Sequence, residues 1–405
     1  MNKEYYKSTI RKLSIFLLVI LYSTALMTFG QTIKRMGRAE ISADSLQNKI
    51  ENLMKAANVS GVAISVFNDN KPVFSKTFGL ADVQKNVLLT QNSVMYGASL
   101  SKMVFAYIVM QLVQEKVIDL DKPLNEYLEK PLPEFKIEGN DKGYQDLKND
   151  ERYKKITARM CLNHTTGFPN WRWFEEDEKL KIKFEPGSRY SYSGEGINLL
   201  QFVVEQVTRK DYETISQERV FIPFGMKNSS QVWQSRFDTD ICYGHNANGE
   251  PYKLKKRTEA GAAGSLNTTL ADFTKFYTAL ITHKNLTKHS FNEMTRPQIR
   301  IKSRSQFGPL SKVDSNENDN IDLSYGLGVG VLITPYGKAF FKEGHDNGWG
   351  HYSICFTKEK IGIIIMTNND NGERIFKELL EYAIGDIYTP WQWENYIPFD
   401  KNTTN

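Results

Sequence analysis

Cysteine is scarce in this sequence, and its scarcity excludes two ways of stabilising a fold. The 405 residues include only three cysteines, Cys161, Cys242 and Cys355, which permit one disulfide at most. No CxxC pair and no cluster of cysteines with histidines occurs, which argues against a zinc site. With 40% hydrophobic and 24% charged residues, a chain of this length can bury a large core without disulfides or structural metals.

The net positive charge is also small outside the N-terminus. The formal net charge is +5, and the first thirty residues supply three of these charges. A protein that binds nucleic acid would carry a basic stripe on its folded part, so this class of partner is excluded. The one basic cluster is predicted to be a solvated loop; it comprises Lys253, Lys255, Lys256 and Arg257.

The N-terminus carries the pattern of an export signal. Basic residues end at Lys12, an apolar run covers residues 13–29, and small or polar residues follow at Gly30 and Gln31. We therefore expect residues 1–30 to be a cleaved signal peptide and the protein to be periplasmic or secreted. Because the run is near the lower limit for spanning a bilayer, an uncleaved anchor facing outside the cytoplasm is the alternative. Residues 13–29 would then be the only membrane contact.

No internal repeat, low-complexity tract or linker divides the rest of the chain, which indicates one domain over residues 42–385 and a C-terminal tail over 386–405. Strand patterns open and close this domain, and mostly helical patterns lie between them. This order predicts an α+β fold, an antiparallel sheet flanked by helices with a mostly helical subdomain inserted. We expect the sheet subdomain to comprise residues 42–95 and 260–385, and the helical subdomain residues 100–255.

Several individual elements have clear patterns. A helix over residues 99–116 is apolar nearly all round, so it should be buried on most sides. The run IGIIIMTN predicts a buried central strand. Other strands are predicted at 61–79, 324–334, 338–345, 350–358 and 361–367, and other helices at 194–208 and 270–282.

The start of the buried helix holds a pattern with chemical potential. Ser99-Leu-Ser-Lys102 is the only S-x-x-K in the sequence. Residues three apart on a helix share a face, so the spacing brings a hydroxyl within reach of an amine. Burial disfavours the charged ammonium and lowers the pKa of Lys102, the direction that a general base needs. The alternative is that Ser99 caps the helix while Lys102 extends to the surface.

A second motif is Tyr190-Ser-Tyr192-Ser-Gly194, which follows Pro186-Gly187. A tyrosine on a rigid turn can pass protons between a nucleophile and a leaving group if nearby cations favour its phenolate. The alternative is a buried core tyrosine whose hydroxyl is satisfied.

A third motif, Lys342-Glu343-Gly344, ends the apparent strand AFFKEGH. Glycine on an edge strand lets a substrate backbone approach closely, and a lysine can bind a carboxylate. The alternative is a strand that ends in a polar turn. A zinc site at His345, Asp346 and His351 has no supporting helix or cysteine, so no metal is expected. The G-x-S-x-G pattern of another hydrolase class is absent.

Together and in this order, the three motifs resemble those of the β-lactamase-related serine hydrolases, which include class C β-lactamases and penicillin-binding proteins. The resemblance extends over about residues 45 to 385 and implies a β-lactamase/transpeptidase-like fold. It is carried as well by the segments ITARMCLNHTTGFPNW (156–171), VFIPFGMKNSS (220–230), AGAAGSLNTTLADFTKF (260–276), YGLGVGV (325–331) and MTNNDNG (366–372).

The resemblance implies a role for each matching residue. Ser99 corresponds to the acylated serine and Lys102 to its partner base. Tyr192 corresponds to the tyrosine of the family's Y-x-N motif, with Tyr190 as the alternative. Lys342, with Gly344, corresponds to the triplet that helps to bind a substrate carboxylate. The backbone N–H groups of Ser99 and His345 would form the oxyanion hole.

Two positions depart from the family pattern. Gly194 stands where an asparagine usually contacts the substrate's amide, and Glu343 adds a negative charge inside the K-T-G triplet. The triplet can also be aligned on His345-Asp346-Asn347 as a variant H-x-G. Both departures weaken the expectation of efficient β-lactam hydrolysis.

The resulting expectation is an exported serine hydrolase that forms an acyl-enzyme at Ser99 and needs no cofactor. Its substrate would be a D-amino-acid peptide, an amide or a small ester, and a peptide derived from peptidoglycan fits this class. The alternatives are a class C-like β-lactamase and a non-catalytic protein that binds cell-wall peptides.

Overall fold

The computed structural model describes residues 32–135, 137 and 143–400. The predicted signal or anchor at residues 1–30 lies outside the described residues, as do the last five residues of the predicted tail. Within the described ranges, every helix is too short or too polar to cross a bilayer.

The strands, numbered in chain order, are β1 (Thr32–Lys34), β2 (Glu40–Ser42), β3 (Gly61–Asn68), β4 (Lys71–Asp82), β5 (Val87–Leu88), β6 (Met95–Tyr96), β7 (Asn267–Thr268), β8 (Ile299–Arg300), β9 (Ser324–Tyr325), β10 (Gly330–Thr334), β11 (Gly337–Asp346), β12 (Trp349–Phe356) and β13 (Ile361–Thr367). The α-helices are α1 (Ala43–Ala57), α2 (Leu100–Gln114), α3 (Ala158–Leu162), α4 (Gly194–Thr208), α5 (Tyr212–Ser216), α6 (Leu270–Ile281), α7 (Lys288–Thr295) and α8 (Phe376–Ile384). One turn of π-helix covers Gln217–Phe221, and short 3₁₀ helices cover Met36–Arg38, Leu124–Tyr127, Leu132–Glu134, Gln145–Leu147, Glu151–Lys155, Arg172–Phe174, Ser235–Thr239, Pro309–Lys312, Asp319–Ile321 and Gly372–Ile375.

A nine-stranded sheet organises the described residues. Its order is β5-β4-β3-β13-β12-β11-β10-β9-β8, and each neighbouring pair is antiparallel. Its first three strands in chain order lie within residues 61–88 and the others within 299–367, with mostly helical chain between them. The predicted α+β fold class is confirmed, while the division into two subdomains at the stated boundaries stays a prediction.

The central strands are apolar on both faces because both faces of the sheet are covered. Along β13, Ile363 and Ile365 pack in the same core as α1 and α8. The alternate residues Ile364 and Met366 pack in a second core that contains α2 and α6. Side chains alternate between the two faces of a strand, so the run IGIIIM fills both cores without a polar position.

Helix α2 lies in the second core and has no solvent-facing side over most of its length. All residues from Leu100 to Leu112 are buried, including Lys102. The alternative in which Lys102 extends to the surface is therefore wrong. Ser99 occupies the N-cap position, but its side chain makes no capping hydrogen bond. The start of α2 thus leaves the hydroxyl of Ser99 free for other contacts.

The C-terminal segment packs on the sheet rather than extending away from it. The indole of Trp393 is 1% exposed, and its Nε1 donates to the Oγ of Ser303 at 3.2 Å. The hydroxyl of Tyr352 donates to Glu394 at 3.2 Å. Residues 386–400 therefore cover the same face of the sheet as α1 and α8. The three cysteines are buried free thiols.

Candidate active site

A tight turn between β6 and α2 presents Ser99. Ala98 has a φ of +45°, a left-handed conformation that costs a residue with a Cβ about 1 kcal/mol. The hydroxyl of Ser101 stabilises this turn, because it donates to the carbonyl of Ala98 at 2.6 Å and accepts from the N–H of Leu266 at 3.0 Å. Ser99 itself is half-buried. The turn fixes the hydroxyl at the N-terminal end of α2, where the helix dipole favours negative charge.

Lys102 is the nearest basic group to this hydroxyl. Its Nζ lies 2.9 Å from the Oγ of Ser99 and 2.5 Å from the carbonyl oxygen of Ala263. The residue is 1% exposed. Burial, with a smaller contribution from the charge of Lys342, lowers the pKa of Lys102 well below 10.5. Lys102 is thus placed and tuned to accept a proton from Ser99.

Tyr192 lies between two lysines. Its hydroxyl is 3.3 Å from the Nζ of Lys342, and its ring centre is 5.0 Å from the Nζ of Lys102. Burial raises the pKa of Tyr192, and the charge of Lys342 and a hydrogen bond with Ser99 offset only part of that rise. The resting side chain is therefore a neutral phenol. The phenolate considered from the sequence is not the resting form, because burial outweighs the nearby cation.

The alternative tyrosine, Tyr190, occupies a different environment. Its ring packs against Tyr325 at 5.3 Å and Trp393 at 6.2 Å between ring centres. Both tyrosines belong to the same apolar core, but Tyr192 contacts Ser99 and Lys342, whereas the ring contacts of Tyr190 are with core aromatic residues. Of the two candidates, the structure brings only Tyr192 to the serine.

Lys342 is fully buried but keeps a counter-ion. Its Nζ lies 2.8 Å from a carboxylate oxygen of Glu343, which also accepts from the side-chain amide of Gln306 at 2.7 Å. Burial alone would lower the pKa of Lys342, but Glu343 and Tyr192 together raise it above 10.5. Lys342 is therefore a cation in the resting site. The negative charge of Glu343 stabilises the positive charge of Lys342 in the protein interior.

The second half of β11 provides an open backbone edge beside Ser99. Strand β10 pairs with β11 only as far as Phe341, so residues 342–346 pair with β12 alone. The sequence predicts that the Lys342-Glu343-Gly344 motif lies on an edge strand. It lies instead on an inner strand, in the half of β11 that extends beyond β10. A Cβ at Gly344 would come within 3.0 Å of the carbonyl of Gly97. The absence of a side chain there lets β11 approach the turn that carries Ser99.

The residues that follow Gly344 have separate partners. The side chain of His345 is 64% exposed and its Nδ1 lies 2.8 Å from Glu373, while the Nε2 of the buried His351 bonds the carbonyl of Tyr96 at 2.8 Å. Asp346 is within 3.6 Å of Lys255 and 3.9 Å of Arg257. Two members of the predicted basic loop therefore reach the edge of the site. Within residues 32–135, 137 and 143–400, no group of side chains could hold a metal ion.

Gly194 presents no side chain to the site, and a neighbouring indole takes the space. A Cβ at this position would be 2.5 Å from the ring of Trp171. The N–H of Gly194 donates to both the backbone and side-chain oxygens of Asn170 at 3.0 Å. The surface at this position therefore belongs to Trp171, whose ring centre is 5.9 Å from the Nζ of Lys102.

Sequence reasoning did not identify three of the groups around the serine. Trp171, the carbonyl of Ala263 and the imidazole of His164, whose ring lies 4.3 Å from that of Tyr192, come from loops far away in the chain. Burial holds the pKa of His164 well below 6.5, so this ring supports Tyr192 as a neutral group. All three residues lie in the segments 156–171 and 260–276, which resemble the family. That resemblance was the only indication in the sequence that they belong to the site.

Comparison with known proteins identifies the family. A family model described as beta-lactamase matches residues 46–384. The chain belongs to the beta-lactamase family. Members of this family are serine hydrolases, which agrees with the arrangement of Ser99 and Lys102.

Similar proteins within the beta-lactamase family carry several names. The chain is 23% identical to penicillin-binding protein 4* of Bacillus subtilis, over 84% of this chain and 74% of that protein. It is 24% identical to a D-aminopeptidase of Brucella anthropi, over 80% of this chain and 59% of that protein. A solved structure of a beta-lactamase/D-alanine carboxypeptidase from Pseudomonas syringae matches with a TM-score of 0.65 at 17% identity, covering 84% of this chain and 99% of that one. At such low identity the structural likeness supports the fold.

Proposed function

We propose that this protein is an exported serine hydrolase that forms an acyl-enzyme at Ser99 with a D-amino-acid peptide, an amide or a small ester. The observation that carries the proposal is the contact of 2.9 Å between the Oγ of Ser99 and the buried Nζ of Lys102. A serine hydroxyl becomes a strong nucleophile only when a base takes its proton. Lys102, with its lowered pKa, is the base that this site offers.

Acylation begins when Lys102 takes the proton from Ser99. The Oγ then forms a bond to the substrate's carbonyl carbon, and the carbonyl oxygen becomes an oxyanion. The backbone N–H groups of Ser99 and His345 stabilise this charge, since they lie at the start of α2 and on the open half of β11. The bond to the leaving group breaks as that group accepts a proton from the phenol of Tyr192, and the proton held by Lys102 restores the phenol.

Deacylation repeats these steps with water. Water loses a proton to Lys102 and attacks the ester carbon, and the Oγ of Ser99 leaves and is reprotonated. Throughout the cycle the cation of Lys342 stays beside Tyr192 and stabilises any negative charge that develops on its oxygen. Glu343 keeps that cation charged within the protein.

Two features of the site favour a D-amino-acid peptide, an amide or a small ester over a β-lactam. Lys342 is already paired with Glu343, so the pair offers no net positive charge to the carboxylate of a β-lactam, whereas an amide, a small ester or a peptide cleaved after an N-terminal D-residue needs no carboxylate at this point. Trp171 covers Gly194, where the family pattern has an amide-binding asparagine. A relative named D-aminopeptidase supports the substrate class. The export pattern of residues 1–30 supports a cell-wall-derived peptide as the source.

The test is turnover and covalent trapping by the purified protein and its Ser99→Ala variant. Intact mass is measured before and after a fluorophosphonate or a penicillin, and hydrolysis is compared for D-alanyl peptides, D-alanine amides, short esters and a cephalosporin. We expect a Ser99-dependent adduct and faster hydrolysis of the peptides, amides or esters than of the cephalosporin.

Two outcomes would contradict the proposal. Hydrolysis of the cephalosporin that far exceeds that of the other substrates would make the protein a β-lactamase. The absence of an adduct and of any Ser99-dependent turnover would make it a binding protein. Export is tested separately, by whether the mature protein recovered from its native host begins near residue 31.

A further inference from the structure

We infer that the site selects a substrate whose acyl group is apolar or aromatic and packs against Trp171 and Trp173. This inference rests on the proposed acyl-enzyme chemistry at Ser99 and narrows its substrate class. It comes from a row of aromatic rings that begins beside Lys102 and continues to the surface.

The two residues that precede and follow Trp171 in the chain fix its position. Its neighbour Asn170 accepts two hydrogen bonds from the N–H of Gly194, both at 3.0 Å. Its other neighbour, Arg172, forms a buried ion pair with Glu195 at 2.9 Å. Both anchors lie in the first turn of α4, so the indole between them is fixed against the start of that helix. A buried ion pair of this kind restricts the geometry of its segment.

The rings continue outward from this fixed indole. Trp173 stacks on Trp171 with 4.7 Å between ring centres and 9° between planes, and Phe174 packs against Trp173 at 6.2 Å. Trp173 is 55% exposed and Phe174 is 70% exposed. Exposed apolar surface next to a reactive group is typical of a binding site, because water is displaced from it when a ligand binds. Aromatic rings of this type bind apolar and aromatic groups through offset-stacked or edge-to-face contacts.

The position of Trp171 indicates that this row of aromatic rings contacts the acyl group of the substrate rather than its leaving group. The leaving group must lie near the hydroxyl of Tyr192, which supplies its proton and which contacts Lys342. Lys102 faces both rings, with its Nζ 5.0 Å from Tyr192 and 5.9 Å from Trp171. The group that stays on Ser99 is therefore directed toward Trp171. The rim on the Tyr192 side is formed by Phe307, whose ring is 5.4 Å from that of Tyr192.

The experiment compares kcat/KM for two esters that share the p-nitrophenyl leaving group and differ in an acetyl or a phenylacetyl acyl group. We expect the wild-type enzyme to prefer the phenylacetyl ester by about tenfold or more, since a buried aromatic ring contributes that much to discrimination. Trp171→Ala should reduce the preference to about twofold or less, and Trp173→Ala should reduce it by about threefold. Trp171→Phe should retain most of it.

The matched control is Phe307→Ala, which removes an aromatic ring from the opposite rim. It should leave the preference between the two acyl groups unchanged. The inference is overturned if the wild type shows no preference, or if Trp171→Ala lowers both rates equally. It is also overturned if Phe307→Ala removes the preference as completely as Trp171→Ala. In these cases a Ser99 adduct in the mass spectrum leaves the proposed function intact, whereas the absence of any Ser99-dependent turnover removes both.

Discussion

Two buried lysines flank Tyr192, and their pKa values are shifted in opposite directions. Lys102 is 1% exposed and Lys342 is 0% exposed, and their Nζ atoms lie 5.0 Å and 5.1 Å from the same tyrosine ring. Lys102 contacts a hydroxyl and a carbonyl, whereas Lys342 contacts the carboxylate of Glu343. As a result the pKa of Lys102 is lowered by burial, while that of Lys342 is raised despite burial.

The difference shows that burial alone does not decide the charge of a lysine. Both side chains are shielded from water. The pKa values of the two lysines differ because only Lys342 has a carboxylate beside it. Each lysine also affects the other, because the charge of Lys342 helps to lower the pKa of Lys102. The site thus contains one lysine whose lowered pKa suits the proposed general base and a second lysine that keeps its positive charge, although both residues are of the same type.

The largest expected effect is that of Lys102→Met. Removing the base should lower kcat/KM for a Ser99-dependent substrate by about 10³-fold, within the usual range for general-base catalysis. Lys102→Arg should not restore activity, since a guanidinium stays charged. A loss of less than tenfold in either variant, measured by initial rates on a short ester, would mean that another group is the base.

Glu343→Gln is expected to lower the pKa of Lys342, so that both lysines have pKa values lowered by burial. Without the carboxylate, burial should lower the pKa of Lys342, so the loss of activity at alkaline pH should begin at a lower pH than in the wild type. At neutral pH kcat/KM should fall by about tenfold or more. Gln306→Leu keeps the carboxylate and serves as a control, with a smaller shift expected. An unchanged pH profile in Glu343→Gln would show that Glu343 does not maintain the charge of Lys342.

The pH dependence of stability should distinguish the two lysines as well. The unfolded chain protonates Lys102 with a pKa near 10.5, and the folded chain does so only at much lower pH. Between those values the contribution of Lys102 to the free energy of unfolding rises with pH, by at most about 1.4 kcal/mol per unit. The contribution of Lys342 to the free energy of unfolding changes in the opposite direction, because its pKa is raised in the folded chain. This contribution is lost as pH rises above 10.5.

Urea unfolding of wild type and Lys102→Met at pH 7, 8 and 9 measures this contribution. The variant lacks the ionisable group, so it should be the more stable protein at pH 7, and its advantage should shrink as pH rises. A difference between the two proteins that does not change with pH would contradict a lowered pKa for Lys102.

The smallest expected effect is that of His345→Ala. The side chain of His345 is 64% exposed and pairs with Glu373, and exposed pairs of this kind contribute little. Only its backbone N–H is assigned a role, and alanine keeps that group. We expect kcat/KM to stay within about threefold of the wild type. A loss of tenfold or more on a short ester would give the imidazole itself a part in the reaction.

Much of the fold could be predicted because its signals are local. The helix that begins at Leu100 and the strand Ile361–Thr367 have continuous apolar runs, and the structure has both within two residues of the predicted bounds. The spacing of Ser99 and Lys102 also follows from helix geometry alone. A local pattern does not show which partner each group contacts. Ser99 therefore occupies the predicted N-cap position, but its side chain makes no capping hydrogen bond.

The remaining features of the site depend on contacts between distant segments. Nothing near Gly194 in the sequence shows that Trp171, 23 positions earlier, fills the space beside it. The pairing of Glu343 with Gln306, and the packing of Trp393 behind Tyr190, depend on how loops from different parts of the chain meet. The tail could not be placed from sequence because its tryptophans are equally suited to a core and to an interface.

The rate at which a fluorophosphonate labels Ser99, followed by intact mass from pH 5 to pH 10, tests most directly whether Lys102 is a neutral base. Ser99→Ala and Lys102→Met are measured alongside. We predict that labelling rises with pH to a plateau with a midpoint well below 10.5, that Ser99→Ala forms no adduct, and that Lys102→Met is labelled far more slowly at every pH. A midpoint near 10.5, or labelling of Lys102→Met at the wild-type rate, would contradict the assignment of Lys102 as the base.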